Sequence, residues 1–112
     1  MRRGEVWVGS LNPNRGQEVG KIRPVLILQA DFLLGQDEPT VIVLPLTTRV
    51  RPAKEPLHVT IQPRDRLRSV CQVMPEQPRT LDRRRLVEGP LTRLGTTEMA
   101  AVERSLRAVM GL

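Results

Sequence analysis

Arg23-Pro24-Val25-Leu26-Ile27-Leu28-Gln29 and Thr40-Val41-Ile42-Val43-Leu44-Pro45-Leu46-Thr47 are the two stretches on which the fold turns. Each holds a short, continuous apolar run bounded by proline. Runs of this length fit buried strands better than helices. Upstream, Glu5-Val6-Trp7-Val8 alternates polar and apolar residues, the pattern of a half-buried strand. Leu11-Asn12-Pro13-Asn14-Arg15-Gly16 then brings strong turn chemistry. From Gly16 to Arg23 the chain is polar and aperiodic, which reads as an exposed loop.

Further along, Asp31 to Glu38 reads as a short irregular or helical connection, and Arg49 to Pro56 as a basic loop. Leu57, Val59 and Ile61 alternate with His58 and Thr60 as another strand. Arg68 to Met74 is strand-like, and Gln77 to Asp82 is turn-rich. Leu86 to Leu91 is a short strand that Gly89-Pro90 bends or confines to an edge. The periodicity then changes. Met99, Val102, Leu106, Val109 and Met110 recur at helical spacing, with Thr96 as the expected cap, Glu98 in the first turn and Gly111 as the stop. The expected fold is mainly β with α: five to seven short strands in a small curved sheet or barrel, closed by one C-terminal amphipathic helix. One domain over residues 1–112 accounts for the whole pattern.

Composition narrows the function. Hydrophobic residues make up 39% of the 112, enough for a core without disulfides. The single cysteine, Cys71, has no partner for an internal disulfide and reads as an apolar filler within a strand, which suits a reducing cytoplasm. No apolar run approaches the roughly 20 residues that a membrane helix needs. The net charge is +6, and only Lys21 and Lys54 among the 18 basic residues are lysines. Arginine offers a fixed fork of donors that matches phosphate oxygens, so a nucleic-acid partner is a reasonable expectation. One histidine and one cysteine cannot build a zinc cluster, the acids show no metal-binding spacing, and there is no phosphate-binding glycine loop. Neither a metal nor a cofactor is expected. His58, within an alternating strand, reads as a structural or surface residue.

Taken in order, Arg3-Gly4-Glu5-Val6-Trp7, Leu11-Asn12-Pro13, Gly16, Glu18 and Gly20, Arg23 to Gln29, Val41 to Thr47 and Gln77 to Asp82 resemble the MazF/PemK family of toxin endoribonucleases over nearly the whole chain. The resemblance implies an SH3-like β-barrel with packed helices, usually a homodimer. It implies a cytoplasmic, metal-independent cut in single-stranded RNA, messenger RNA with ribosomal RNA as a second candidate, and a cognate antitoxin that blocks the groove. Arg23 and Thr47 match the family's catalytic arginine and hydroxyl residue, and Glu18 an acidic loop residue. Gln77 and Arg79 match a segment near the groove. Arg15, Lys21 and Arg49 join them as candidate RNA contacts. By the residues alone, pairing of Arg23 with Glu18 across the loop is the favoured reading, which the resemblance reverses, and Thr47 could be an ordinary strand-end threonine. The basic run Arg83 to Arg85 is either solvated surface or a device that steers RNA. Two other functions fit the same fold: a toxin that binds gyrase without hydrolysis, and a non-catalytic nucleic-acid-binding module.

Overall fold

A computed structural model describes residues 1–12, 16, 21–35 and 37–112. The elements run β1 (Glu5–Ser10), β2 (Ile22–Ile27), α1 (Asp31–Leu34), β3 (Thr40–Thr47), β4 (Val59–Ile61), β5 (Cys71–Val73), β6 (Arg79–Asp82), β7 (Leu86–Arg93) and α2 (Thr96–Met110). Single 3-10 turns at Pro52–Lys54 and Arg83–Arg85 separate β3 from β4 and β6 from β7. Among the described residues the strands form one curled antiparallel sheet in the order β4-β5-β3-β2-β1-β7, with β6 also on β3. The expected class, a small β-barrel-like sheet with a C-terminal helix, is the observed one.

The continuous apolar runs are explained by burial on both faces. Leu26, Leu44 and Leu46 point into the main core with Val6, Ile61 and Val102 of α2. Val25, Ile27 and Val43 point the other way, into a second cluster with Leu11, Leu34 and Leu81. The β2–β3 ladder pairs Ile27 with Val43, Leu26 with Leu44 and Val25 with Pro45, and goes no further. Its hydrogen-bonded positions on β3 are Ile42, which accepts from Leu28, and Leu44. The next would be Leu46 opposite Pro24, and proline has no amide hydrogen to give. The two strands therefore part at this point. On the other edge of β3, β5 and β6 pair in registers three residues apart. Residues 74–78 lie opposite only two residues of β3 and bulge out where Pro45 likewise offers no donor, and the Pro45 carbonyl takes the Met74 N–H at 3.0 Å.

The curl is fastened by Arg64. Its guanidinium donates to both carboxylate oxygens of Glu98, at 2.7 and 2.6 Å, and its Nε donates to Thr92 Oγ1 at 3.2 Å. Thr92 in turn donates to Asp65 at 2.7 Å, and the Arg66 N–H reaches the Leu91 carbonyl at 2.9 Å. The turn before β5, strand β7 and the start of α2 are thus tied at one place. Glu98 also accepts the Gly95 N–H at 2.9 Å, so the helix is capped by Gly95 and Glu98. Thr96 is the first helical residue instead of the cap, which is Gly95. At the other end Gly111 adopts φ 70° and closes α2. Of the periodic residues, Met99 and Val102 are buried, whereas Val109 and Met110 lie exposed at the end of the helix.

Two further readings are corrected. Gln77 to Asp82 is half strand: Arg79–Asp82 is β6, held on β3 from Thr40 to Val43 with Leu81 as its one buried side chain. Arg23 is not in the loop but on β2, opposite Gly9 of β1. Strand β7 reaches Arg93, with a register shift against β1 on either side of Val8. Gly89 sits at that irregularity because Trp7 occupies its side-chain space; a Cβ there would lie 2.3 Å from the indole.

Two outcomes follow for stability. Gly89→Ala forces the Trp7 ring to move and should destabilise the fold by about 1–3 kcal/mol, read as a lower urea midpoint. Glu98 is held below the usual carboxylate range, first by its hydrogen bonds from Arg64. The folded state therefore binds fewer protons than the unfolded state. The pair's contribution is complete above the unfolded carboxyl's titration and disappears as pH falls through the folded value. The stability advantage of wild type over Glu98→Gln should thus be larger at pH 7 than at pH 3.

Candidate functional site

The divergence of β2 and β3 opens a cleft of about 370 Å³. The β2–β3 ladder ends at Val25 and Pro45, two residues short of Arg23 on β2 and two short of Thr47 on β3. Both line the cleft, joined by Arg49, Arg51, Lys54, His58, Met74, Glu76 and Gln77. Arg23 is half-buried, and burial lowers its pKa from the ordinary arginine value. The guanidinium nevertheless stays charged, because arginine starts so high. Its charge is poorly hydrated, so an anion in the cleft would feel it more strongly than in water. Thr47 Oγ1 accepts the Arg49 N–H at 3.1 Å, which leaves the hydroxyl hydrogen for another acceptor.

The wall from Arg49 to His58 is held from beneath. Gln72, fully buried on β5, accepts the Arg51 N–H at 3.1 Å through Oε1. Its Nε2 donates to the Arg51 carbonyl at 3.2 Å and to Thr60 Oγ1 at 3.1 Å. One side-chain amide thus takes the place of a strand partner for this segment. At its end the His58 N–H donates to the Lys54 carbonyl at 2.9 Å, and His58 Nε2 lies 2.7 Å from Glu76 Oε2 on the bulge.

Four of the expected site residues, Arg23, Thr47, Arg49 and Gln77, therefore share one cleft. Arg15 and Glu18 lie outside the described residues. Lys21 is exposed at the start of β2, with φ 71°, its N–H donating to Asn12 Oδ1 at 2.7 Å; it does not line the cleft. Arg79 also stands apart, with Nη1 donating to the Leu11 carbonyl at 3.1 Å. The run Arg83 to Arg85 is largely committed to the fold. Arg83 donates to the Leu34 and Glu38 carbonyls, and Arg85 to those of Ser10 and Asn12. Arg84 holds the Asp82 carboxyl down to about 2 through its hydrogen bonds. His58 and Glu76 are the residues that sequence reasoning missed. His58 falls on the polar face of an alternating stretch, so no sequence signal marked it, and nothing linked it to an acid 18 residues away. Among the described residues no three histidine, cysteine, aspartate or glutamate side chains gather as metal ligands, and no helix is long and apolar enough to cross a membrane.

Residues 2–110 match the sequence profile of the PemK-like, MazF-like toxins of type II toxin–antitoxin systems. The chain belongs to this family. Solved structures of MazF-type toxins share the fold. MazF from Deinococcus radiodurans is 24% identical, with 100% of this chain and 97% of that one covered at a TM-score of 0.83. The Mycobacterium tuberculosis toxin MazF-mt6 is 21% identical, with 96% and 97% covered at 0.78. An endoribonuclease from a mycobacterial species, solved with its cognate antitoxin, is 23% identical, with 100% and 96% covered at 0.75.

In this member of the PemK/MazF family, Cys71 is away from the cleft. It is 1% exposed in the main core, and burial pushes its thiol up to about 11. Thiol reagents such as Ellman's reagent should leave it unmodified in the native protein at pH 8 and modify it fully in denaturant. Rapid native labelling would contradict the buried β5.

Proposed function

We propose that this toxin is an endoribonuclease that cuts single-stranded RNA through the RNA's own 2′-hydroxyl. The observation that carries the reading is that Arg23 and Thr47 line one cleft whose walls add Arg49, Arg51 and Lys54. In such a cut the 2′-oxygen attacks the adjacent phosphorus and the P–O5′ bond breaks. Negative charge grows on the phosphoryl oxygens as this happens. Arg23 is a fixed cation with several donors, suited to that charge. Thr47 has a hydrogen left to donate to the same group. The other cations hold the flanking phosphates, and Gln77 offers an amide for a base edge. Lys21 and Arg79 extend the RNA path beyond the cleft, and Arg15 is a further candidate RNA contact. Glu18, from the β1–β2 loop, is the family's acidic candidate for proton transfer.

No metal enters this chemistry. The toxin works in the cytoplasm as a homodimer, and a cognate antitoxin silences it by covering the cleft. Support for that partner comes from the mycobacterial endoribonuclease solved with its own antitoxin. A gyrase-binding toxin would have no use for the Arg23–Thr47 juxtaposition.

The test is incubation of the antitoxin-free protein with a long single-stranded RNA in excess chelator. Wild type should give discrete fragments whose ends define the cleavage motif. Arg23→Ala should be slower by about 10²–10³-fold, and Thr47→Val by about tenfold, the worth of one neutral hydrogen bond. An oligonucleotide with 2′-deoxyribose at the cut site should bind and stay intact. Intact RNA with folded wild type would overturn the reading.

A further inference from the structure

Gln72 sits where the sheet has no need of a polar side chain. Strand β5 is buried along its whole length, and Cys71 and Val73 on either side of Gln72 are core residues. A side-chain amide taken out of water costs free energy unless it is hydrogen-bonded. An apolar residue of the same length would fill the position without that cost. The wall does not need the amide to satisfy its backbone either: Arg51 is exposed, and water could serve its N–H and carbonyl. Gln72 supplies direction instead.

It is the ladder partner of Thr60 on β4 and of Thr47 on β3, so the three side chains stand in a row on one face. Thr60 Oγ1 donates to Glu55 Oε1 at 3.0 Å and accepts from Gln72 Nε2 at 3.1 Å. Nε2 also donates to the Arg51 carbonyl at 3.2 Å, and Oε1 accepts the Arg51 N–H at 3.1 Å. A flipped amide would face the Arg51 carbonyl with its oxygen and the Arg51 N–H with its own hydrogens, so its orientation is fixed. Arg51 is thus held at both main-chain atoms. Between Arg51 and Thr47, the Val50 N–H closes a tight turn on the Thr48 carbonyl at 3.0 Å, and the Arg49 N–H meets Thr47 Oγ1 at 3.1 Å. Thr47 Oγ1 is the acceptor in that bond. Its own hydrogen therefore turns away from the Arg49 amide, towards the cleft that Thr47 lines.

We propose that Gln72 is a positioning residue for RNA cleavage: by holding Arg51 it keeps the Arg49 amide on Thr47 and leaves the Thr47 hydroxyl hydrogen aimed at the scissile phosphate. The inference rests on the ribonuclease reading, with Thr47 as a donor to the phosphoryl group. Gln72 itself never touches the substrate. Without its amide the stretch from Thr48 to Arg51 loses its anchor, the Arg49 N–H leaves Thr47, and the hydroxyl is no longer held in one direction. The cations of the wall stay on the same flexible side chains, and their attraction for phosphate reaches over several ångströms. The loss therefore falls on the rate of cutting and hardly on affinity.

The test measures single-turnover cleavage of one RNA oligonucleotide, and binding of its 2′-deoxy analogue, for wild type, Gln72→Met, Thr47→Val and the double variant. Methionine has a similar length and offers neither an N–H nor a carbonyl oxygen. Gln72→Met is expected to slow cleavage by up to about tenfold, the worth of the Thr47 bond it disturbs, with affinity for the deoxy analogue little changed. In the Thr47→Val background the same substitution should cost less than about twofold, because the hydroxyl it aims is gone. A side chain that only supports the fold would cost the same factor in both backgrounds. Thr60→Val is run beside it, since Gln72→Met removes a buried network; it takes one of the three bonds and should give a smaller loss that also vanishes with Thr47→Val. Cleavage by Gln72→Met as fast as wild type, a loss that comes only from weaker binding, or an equal loss with and without the Thr47 hydroxyl overturns this assignment alone. The same outcomes in Thr60→Val overturn it where Gln72→Met does not fold. Thr47→Val at the wild-type rate overturns it too, and leaves the ribonuclease reading standing. No cleavage by folded wild type overturns that reading, and this assignment with it.

Discussion

Pro24 has no amide hydrogen for Leu46, and the architecture around the cleft follows from that missing bond. Strands β2 and β3 run side by side from Ile27 and Val43 to Val25 and Pro45, sealed on both faces by aliphatic side chains. Beyond that pair the sheet cannot continue. Arg23 and Thr47 are left lining one cleft, each with the rigidity of a strand behind it. Pro45, one step earlier on β3, does the same for the opposite edge, where the bulge carrying Glu76 and Gln77 interrupts the passage from β5 to β6. The core thus extends to the rim of the site and stops there. Rigid placement of this kind is what a catalytic arrangement needs, because the reacting groups are positioned before the substrate arrives.

Much of this fold is legible in the chain, but unevenly. Strands β1, β3 and β4 and helix α2 show themselves because their apolar periodicity survives local context. Strand β6 does not. Only Leu81 points inward, the segment is short, and Gln77-Pro78 imitates a turn, so its pairing with β3 is purely a tertiary matter. Arg23 is misplaced for a related reason: a charged residue before proline at the end of a polar stretch looks like loop, yet β1 gives it a strand partner in Gly9. Thr96 falls one residue inside the helix, whose cap is Gly95, with the Glu98 carboxylate accepting the Gly95 N–H.

The site was legible through its family pattern more than through its physics. Arg23 and Thr47 are 24 positions apart, and only the pairing of β2 with β3 brings both to one cleft. The pairing of His58 with Glu76 is less accessible still, since it joins a turn to a bulge that no periodicity describes. Conversely, the Arg83 to Arg85 run was conspicuous in sequence and is mostly spent on main-chain carbonyls. Local charge density is therefore a poor guide to which arginines meet a ligand.

Gln72 carries a consequence of a different kind. Its buried amide fixes the path of the Arg49 to His58 wall by grasping Arg51 through main-chain atoms alone, whatever side chain that position bears. The outward residues of the wall are thereby uncoupled from the folding of the strand that supports them. Substitutions at positions 49, 51 and 54 can accumulate without disturbing the sheet. In a lineage of toxins under pressure to change what they recognise, this wall is where sequence can drift fastest while the scaffold stays unchanged.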